Sequence, residues 1–197
     1  LREPIETIIE QSKGRIIFTS FASNLGRLKI IAEAGEKLGR SIAVFGRAMN
    51  NMLSKAKETG ILTDFPNLID PRKAHLIPRE SLLVIATGSQ GEIRAASAQL
   101  SRGKYMGLEI EDGDTFVFSS KTIPGNEVAV NRVINNLSDK GVVVRYNDDR
   151  EFHVSGHTNI PEMVDFYSKV KPLLVLPMHG EIRHLLAHKK IVTEKKI

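Results

Sequence analysis

Cysteine is absent from the 197 residues. That excludes disulfides and thiolate metal sites and leaves the redox compartment open, so a bound metal would need His and carboxylate ligands. No apolar run reaches the roughly 18 residues of a membrane helix, so no span is expected. The opening LREPIETIIEQSKG is charged and has no signal-peptide pattern. It also lacks an initiator Met, which suggests a fragment or a processed piece. Neither GxGxxG nor GxxxxGK[ST] occurs, and HxH and HExxH are missing too. Cytoplasm is the default location for such a chain.

What is present is ordinary for a globular protein, with 41% hydrophobic and 26% charged residues. A formal charge of +5 favours a polyanionic partner such as nucleic acid, although many basic proteins bind none.

The chain alternates strand and helix signals. IETIIEQS reads as a short amphipathic helix ended by Lys13-Gly14, and GRIIFTSF as a buried strand. A helix follows, with Ser23 or Asn24 as N-cap and Gly39 as its stop. SIAVFG, SLLVIATG, GDTFVFSS and VVVRY are further strands, separated by helical stretches. The prolines between Ile61 and Arg79 mark a connector with a short strand or a turn of helix. This is an α/β pattern with a parallel sheet and helices on both faces.

Asn147-Asp148-Asp149 is a polar boundary. It divides the chain into a domain over 1–150 and a piece over 151–197 that is too short to stand alone as an ordinary domain. In that piece HVSGH reads as a strand entering a turn, IPEMVDFYSKVK as a helix, LLVLPM as a strand and HGEIRH as the start of a helix. The expected order is β-α-β-α.

Four strand-to-helix turns share small polar residues: Ser20–Asn24, Thr87–Glu92, Thr122–Glu127 and Ser155–Thr158. In a parallel sheet they would lie along the strands' C-terminal edge and could line one crevice, where helix N-termini offer N–H groups to an anion. Each turn taken alone is adequately explained as an N-cap. Four in one chain point to a shared site.

Five of the six histidines stand after residue 150. His75 is expected on the surface, and His184 and His188 solvated or packed. His153 alternates with Ser155, which would put both on one side of a strand. His157 and His179 fall at turns, where an imidazole can bind a metal or a phosphate oxygen. Two histidines are too few for a metal site, which takes three or more protein ligands.

HVSGH, followed 179 − 157 = 22 residues later by the His of LPMHGEIRH, resembles the ribonuclease J family of β-CASP metallo-β-lactamase nucleases. TSFASNLGR, IATGSQGE, FSSKTIPGNE and VRYNDDREFHVSGH extend the similarity over residues 14 to 184. The resemblance implies a β-CASP domain over 1–150, with the metallo-β-lactamase chain resuming over 151–197. It implies a metal-dependent ribonuclease with 5′-to-3′ exonuclease and endonuclease activity. RNA would be the partner, DNA would not, and the complete protein would be a homo-oligomer.

By the same resemblance His179 is a metal ligand and His157 the catalytic histidine beside the scissile phosphate. Ser23, Asn24, His153, Ser155 and Gly156 would join His157 in holding a 5′-phosphate or the RNA backbone. Arg27, Arg94 and Arg183 are candidates for backbone contacts or for surface ion pairs. Two divalent metals, Zn or Mn, belong to the complete protein. The family's HxHxDH motif is not in this sequence, so this chain alone is expected neither to bind the pair nor to be active. The competing readings are a non-catalytic RNA-binding piece and a nucleotide-binding α/β domain.

Overall fold

The computed structural model describes residues 1–146, 152–154 and 157–195. The chain divides into two compact units, Leu1–Val154 and Ser155–Ile197.

The first unit is built on six strands: β1 (Ile16–Thr19), β2 (Ser41–Phe45), β3 (Leu68–Ile69), β4 (Leu82–Ala86), β5 (Thr115–Phe118) and β6 (Val143–Arg145). All pair in parallel, in the order β3-β2-β4-β1-β5-β6. Every residue of β1, β4 and β5 is buried. Burial on both faces explains why these strands read as continuous apolar runs rather than alternating ones.

Successive side chains still go to opposite sides. Ile16 and Phe18 join one core with Ile5 and Ile9 of α1 (Arg2–Gln11), Leu28 and Ile31 of α2 (Leu25–Lys37), and Met49 and Leu53 of α3 (Arg47–Glu58). Ile17 and Phe116 join the other, with Leu100 of α4 (Ala96–Arg102) and Val130, Val133 and Leu137 of α5 (Glu127–Asp139). The expected α/β class, parallel sheet and helices on both faces are therefore present. The proline-rich connector contains both alternatives, the short β3 and two 3₁₀ turns at Pro71–Leu76 and Arg79–Ser81.

This order puts β1 in the middle, with β4 and β5 as its neighbours. The chain leaves β1 for a helix on one face, whereas β4 and β5 lead to helices on the other. In open α/β sheets such a reversal is where a ligand crevice is expected, at the strands' C-terminal ends.

The second unit contains α6 (Ile160–Val170) and α7 (Ile182–Glu194). Asn159 and Glu162 close a reciprocal capping box on α6, and Glu181 with His184 does so on α7. The two helices meet where Tyr167 Oη lies 2.8 Å from His188 Nε2. The expected β-α-β-α order needs correction here. Leu173–Met178 forms no strand, and among the described residues of this unit there is none; Leu173, Leu174, Leu176 and Met178 are exposed. A strand exists through its ladder, and no neighbouring backbone pairs with this segment. His153 and Val154 are not in a strand either, and Ser155, their expected companion, lies outside the described residues.

At the sheet's opposite, N-terminal edge the fully buried Asp114 carboxylate joins three segments. It accepts from the Arg15 backbone N–H (2.8 Å), the Glu111 backbone N–H (3.0 Å), Arg15 Nη1 (3.3 Å) and Arg79 Nη2 (2.8 Å). Asp114→Ala would leave the buried Arg15 backbone N–H without its acceptor and the Arg15 guanidinium with Glu111 as its remaining carboxylate. Urea unfolding should show a loss of about 3–5 kcal/mol, the usual result of breaking a buried pair from one side. A change within about 0.5 kcal/mol, the scatter of an ordinary surface substitution, would contradict this account.

Candidate functional site

Three of the four polar turns follow β1, β4 and β5, the adjacent central strands, so they come together at the C-terminal edge. Gln90 stitches two of them. Its Nε2 donates to the Lys121 carbonyl (3.0 Å), while its Oε1 accepts from the Ile123 N–H (2.8 Å) and from Asn126 Nδ2 (3.2 Å). The turn itself needs glycine at Gly91, which has φ +74°; a Cβ there would lie 2.4 Å from the Ala129 carbonyl carbon at the start of α5. Half of the fourth turn, Ser155 and Gly156, lies outside the described residues.

The link to the third turn comes from Arg27. Helical spacing puts it on the stripe of α2 that buries Leu28, Ile31, Ala34 and Gly35. Its guanidinium reaches across to the end of β5, donating through Nη1 to the Ser119 carbonyl (2.6 Å) and to Ser119 Oγ (3.2 Å). Nη2 donates to the Val154 carbonyl (3.3 Å), and Ser119 Oγ donates to the Phe152 carbonyl (2.6 Å). Residues 152–154 are thereby held at the crevice. Arg27 Nη1 also lies 3.4 Å from His153 Nδ1.

His153 is half-buried. Desolvation holds its imidazole below the ordinary histidine value, and the positive charges of Arg27 and Lys121 add to the effect. The ring is neutral at pH 7. Burial also lowers the Arg27 pKa, but a guanidinium stays charged in any protein.

Ser23 and Asn24 are exposed at the start of α2. Of the two N-cap candidates, Asn24 is the cap: its Oδ1 accepts from the Arg27 backbone N–H (3.1 Å), leaving the Nδ2 amide as its donor. Thr19, which was not singled out from the sequence, and Ser20 of the first polar turn stand before them. Thr19 Oγ1 and Ser20 Oγ are buried and have no hydrogen-bond partner among the described residues. An unmet buried hydroxyl costs about 1–3 kcal/mol and calls for a water, an ion or a ligand. The sequence signal was a Thr-Ser pair closing an apolar strand.

The arginines divide differently than expected. Arg27 is buried and bound to protein groups, so it is not a surface contact for a polyanion. Arg183 Nε pairs with Glu181 at 2.9 Å on the surface, and Arg94 is exposed. His75 is exposed, as expected. His184 Nδ1 accepts from the Glu181 N–H, and His188 meets Tyr167, so both have structural partners. His157 and His179 are exposed in the second unit. His179 has φ +57°, a left-handed conformation that few residues other than glycine adopt.

The family profile described as "Ribonuclease J, beta-CASP domain" matches residues 13–137, and "Zn-dependent metallo-hydrolase RNA specificity domain" matches residues 141–197. The chain belongs to the ribonuclease J family. It is 39% identical over 189 residues to "Ribonuclease J" of Sinorhizobium meliloti, covering 96% of this chain and 34% of that protein. It is 41% identical over 187 residues to "Ribonuclease J 1" of Streptococcus pyogenes, covering 94% and 33%. The corresponding figures for "Ribonuclease J" of Mycolicibacterium smegmatis are 38% over 185 residues, 93% and 33%. The chain spans about a third of the length of these relatives.

The second profile's description names a zinc-dependent hydrolase, which implies a divalent metal. Among the described residues no three His, Asp or Glu side chains converge to hold one. The donors among the described residues do not by themselves make a metal centre, and no chemical step is derived through one.

Gln90 is what joins the turns after β4 and β5. Gln90→Ala should lower stability by about 1 kcal/mol, since it removes the acceptor of the part-buried Ile123 N–H and the bonds to Lys121 and Asn126. It should also speed proteolysis between residues 119 and 126. Unchanged thermal unfolding together with unchanged proteolysis would show that the turns are held by other contacts.

Proposed function

We propose that this chain forms the phosphate-holding part of a metal-dependent ribonuclease that hydrolyses RNA phosphodiesters, as a 5′-to-3′ exonuclease and as an endonuclease. Residues 1–150 would be its β-CASP domain and 151–197 the returning part of its metallo-β-lactamase domain. The observation that carries the reading is the C-terminal edge of β4, β1 and β5. Three polar turns meet there, residues 152–154 are held against them, and two buried hydroxyls lack partners. Small residues and N–H donors at such an edge suit a phosphate.

In this reading Ser23, Asn24, His153, Ser155 and Gly156 hold the 5′-phosphate or the adjoining backbone of the RNA. The Asn24 amide and the His153 ring supply donors, and Arg27 and Lys121 supply positive potential from behind. His157 donates to the scissile phosphate, where charge builds as the bond breaks. His179 is one ligand of a pair of divalent ions, Zn or Mn, whose remaining ligands come from outside these residues. RNA is the substrate and DNA is not. The complete protein acts in the cytoplasm as a homo-oligomer. A second reading, in which the 197 residues bind RNA without cleaving it, is favoured by the lack of a three-donor cluster among the described residues.

Two experiments test these readings. In the natural full-length protein, His157→Ala should keep its metal and lose at least about a hundredfold in cleavage rate, the scale of one transition-state donor. His179→Ala should lose both metal and cleavage. Normal turnover by the His157 variant would overturn its role. Separately, the 197-residue chain should bind 5′-phosphorylated RNA with log K falling linearly on log salt. A flat plot, or no binding, would argue against the phosphate-holding reading.

A further inference from the structure

We infer that Arg27 is a positioning residue that holds His153 as the neutral imidazole with its single proton on Nε2, making the ring an N–H donor at the crevice. The inference rests on the reading of His153 as a phosphate contact.

A guanidinium has five N–H donors and no acceptor. The ring nitrogen facing it must present a lone pair, because an N–H there would oppose another N–H. His153 Nδ1 is the nitrogen on that side, 3.4 Å from Arg27 Nη1. At this length the contact is weak as a bond, but it disfavours a proton on Nδ1, which would set one donor against another. The remaining proton therefore sits on Nε2.

Arg27 cannot turn away to relieve the pair. It is 5% exposed, and its fork is held by the Ser119 carbonyl, Ser119 Oγ and the Val154 carbonyl. Both neighbours of the ring are fixed as well, Val154 through its carbonyl to Arg27 Nη2 and Phe152 through its carbonyl to Ser119 Oγ, which Arg27 also contacts. Among the described residues the charged groups acting on the ring are Arg27 of α2 and Lys121 after β5, both cationic. Burial and these charges all disfavour a second proton, so the ring stays neutral at pH values where an exposed histidine would be charged. The positive charge near the phosphate is then permanent, and His153 contributes direction rather than charge.

The test measures the affinity of the natural full-length protein for 5′-monophosphorylated RNA between about pH 5 and 8, the range in which an ordinary histidine titrates. Each variant is expressed as a ratio to wild type, so that ionisation of the RNA itself cancels. Arg27→Gln removes the charge and should free His153 to protonate near its ordinary value. Its ratio should rise about tenfold as pH falls through about 6.5, because a charged donor holds phosphate more strongly than a neutral one. Adding His153→Asn to Arg27→Gln should abolish that step. Arg27→Lys keeps a donor-only cation and should show a much smaller step.

A purely structural Arg27 would weaken both variants alike without any pH step, and that outcome overturns the inference. An equal step in the Lys variant overturns it as well. His153→Asn alone separates this inference from the reading beneath it. Unchanged affinity defeats the phosphate contact itself, whereas a loss of about tenfold, the scale of one charge-assisted hydrogen bond, upholds the contact. Nitrogen NMR of the wild-type ring supplies a check that needs no variant: an unprotonated Nδ1 supports the lock, and an Nδ1–H refutes it.

Discussion

A guanidinium taken out of water has to have its donors met, and Arg27 meets them with groups from two distant parts of the chain. Its partners at Ser119 and Val154 are 92 and 127 residues away in sequence. Packing alone does not require a charge on that stripe of α2, where an aliphatic side chain would fill the same space at less electrostatic cost. A charge bound through carbonyl oxygens does supply a fixed register. The start of α2, the end of β5 and residues 152–154 can fit together in few ways that satisfy the fork. The geometry of the crevice depends on that register, because the exposed Asn24 amide and the His153 ring are both placed by elements that Arg27 joins.

The two edges of the sheet use buried charge differently. At the N-terminal edge Asp114 receives donors from Arg15, Glu111 and Arg79, and Arg40 donates to the carbonyls of Gly14 and Ile9. Loop joins there to loop in a network that suits anchoring, although Arg15 Nε within it is buried with no partner among the described residues. At the C-terminal edge Arg27 Nη1 and Nη2 are bound to protein oxygens, and the hydroxyls of Thr19 and Ser20 are buried with no partner among the described residues. Buried polar groups with unused capacity are costly, so each calls for a ligand or a water to complete it. The difference between the edges follows from parallel topology, which sends every strand-to-helix turn to one end.

Much of the fold could be read from residue patterns because its causes are local. Runs such as IIFT and LLVIA lie on doubly covered strands, and Asn24 caps α2 as an N-cap residue should. Strand order could not be read, because it depends on which covered faces meet, and the fate of Arg27 depended on it. An arginine behind an N-cap looked like a surface contact. Its spacing of four from Ile31 was the available sign that it lay on the buried stripe. The LLVLPM run misled for the opposite reason. Apolar β-like composition gives a tendency to extend, but a strand also needs another backbone beside it, and composition carries no information about that.

The histidines of the second unit narrow the site by what they are already doing. His184 is used in the capping of α7 and His188 in the contact with Tyr167, so the helix pair owes part of its geometry to both rings. His179 has no such framework role among its described contacts, yet it holds a left-handed backbone that costs a non-glycine residue on the order of 1 kcal/mol. Glycine would remove the strain, and Gly180 stands next to it with an ordinary φ. The strained position therefore carries the imidazole and the permissive residue follows it. That arrangement is easier to explain if the ring at 179 is needed for its chemistry than if the turn were selected for stability alone.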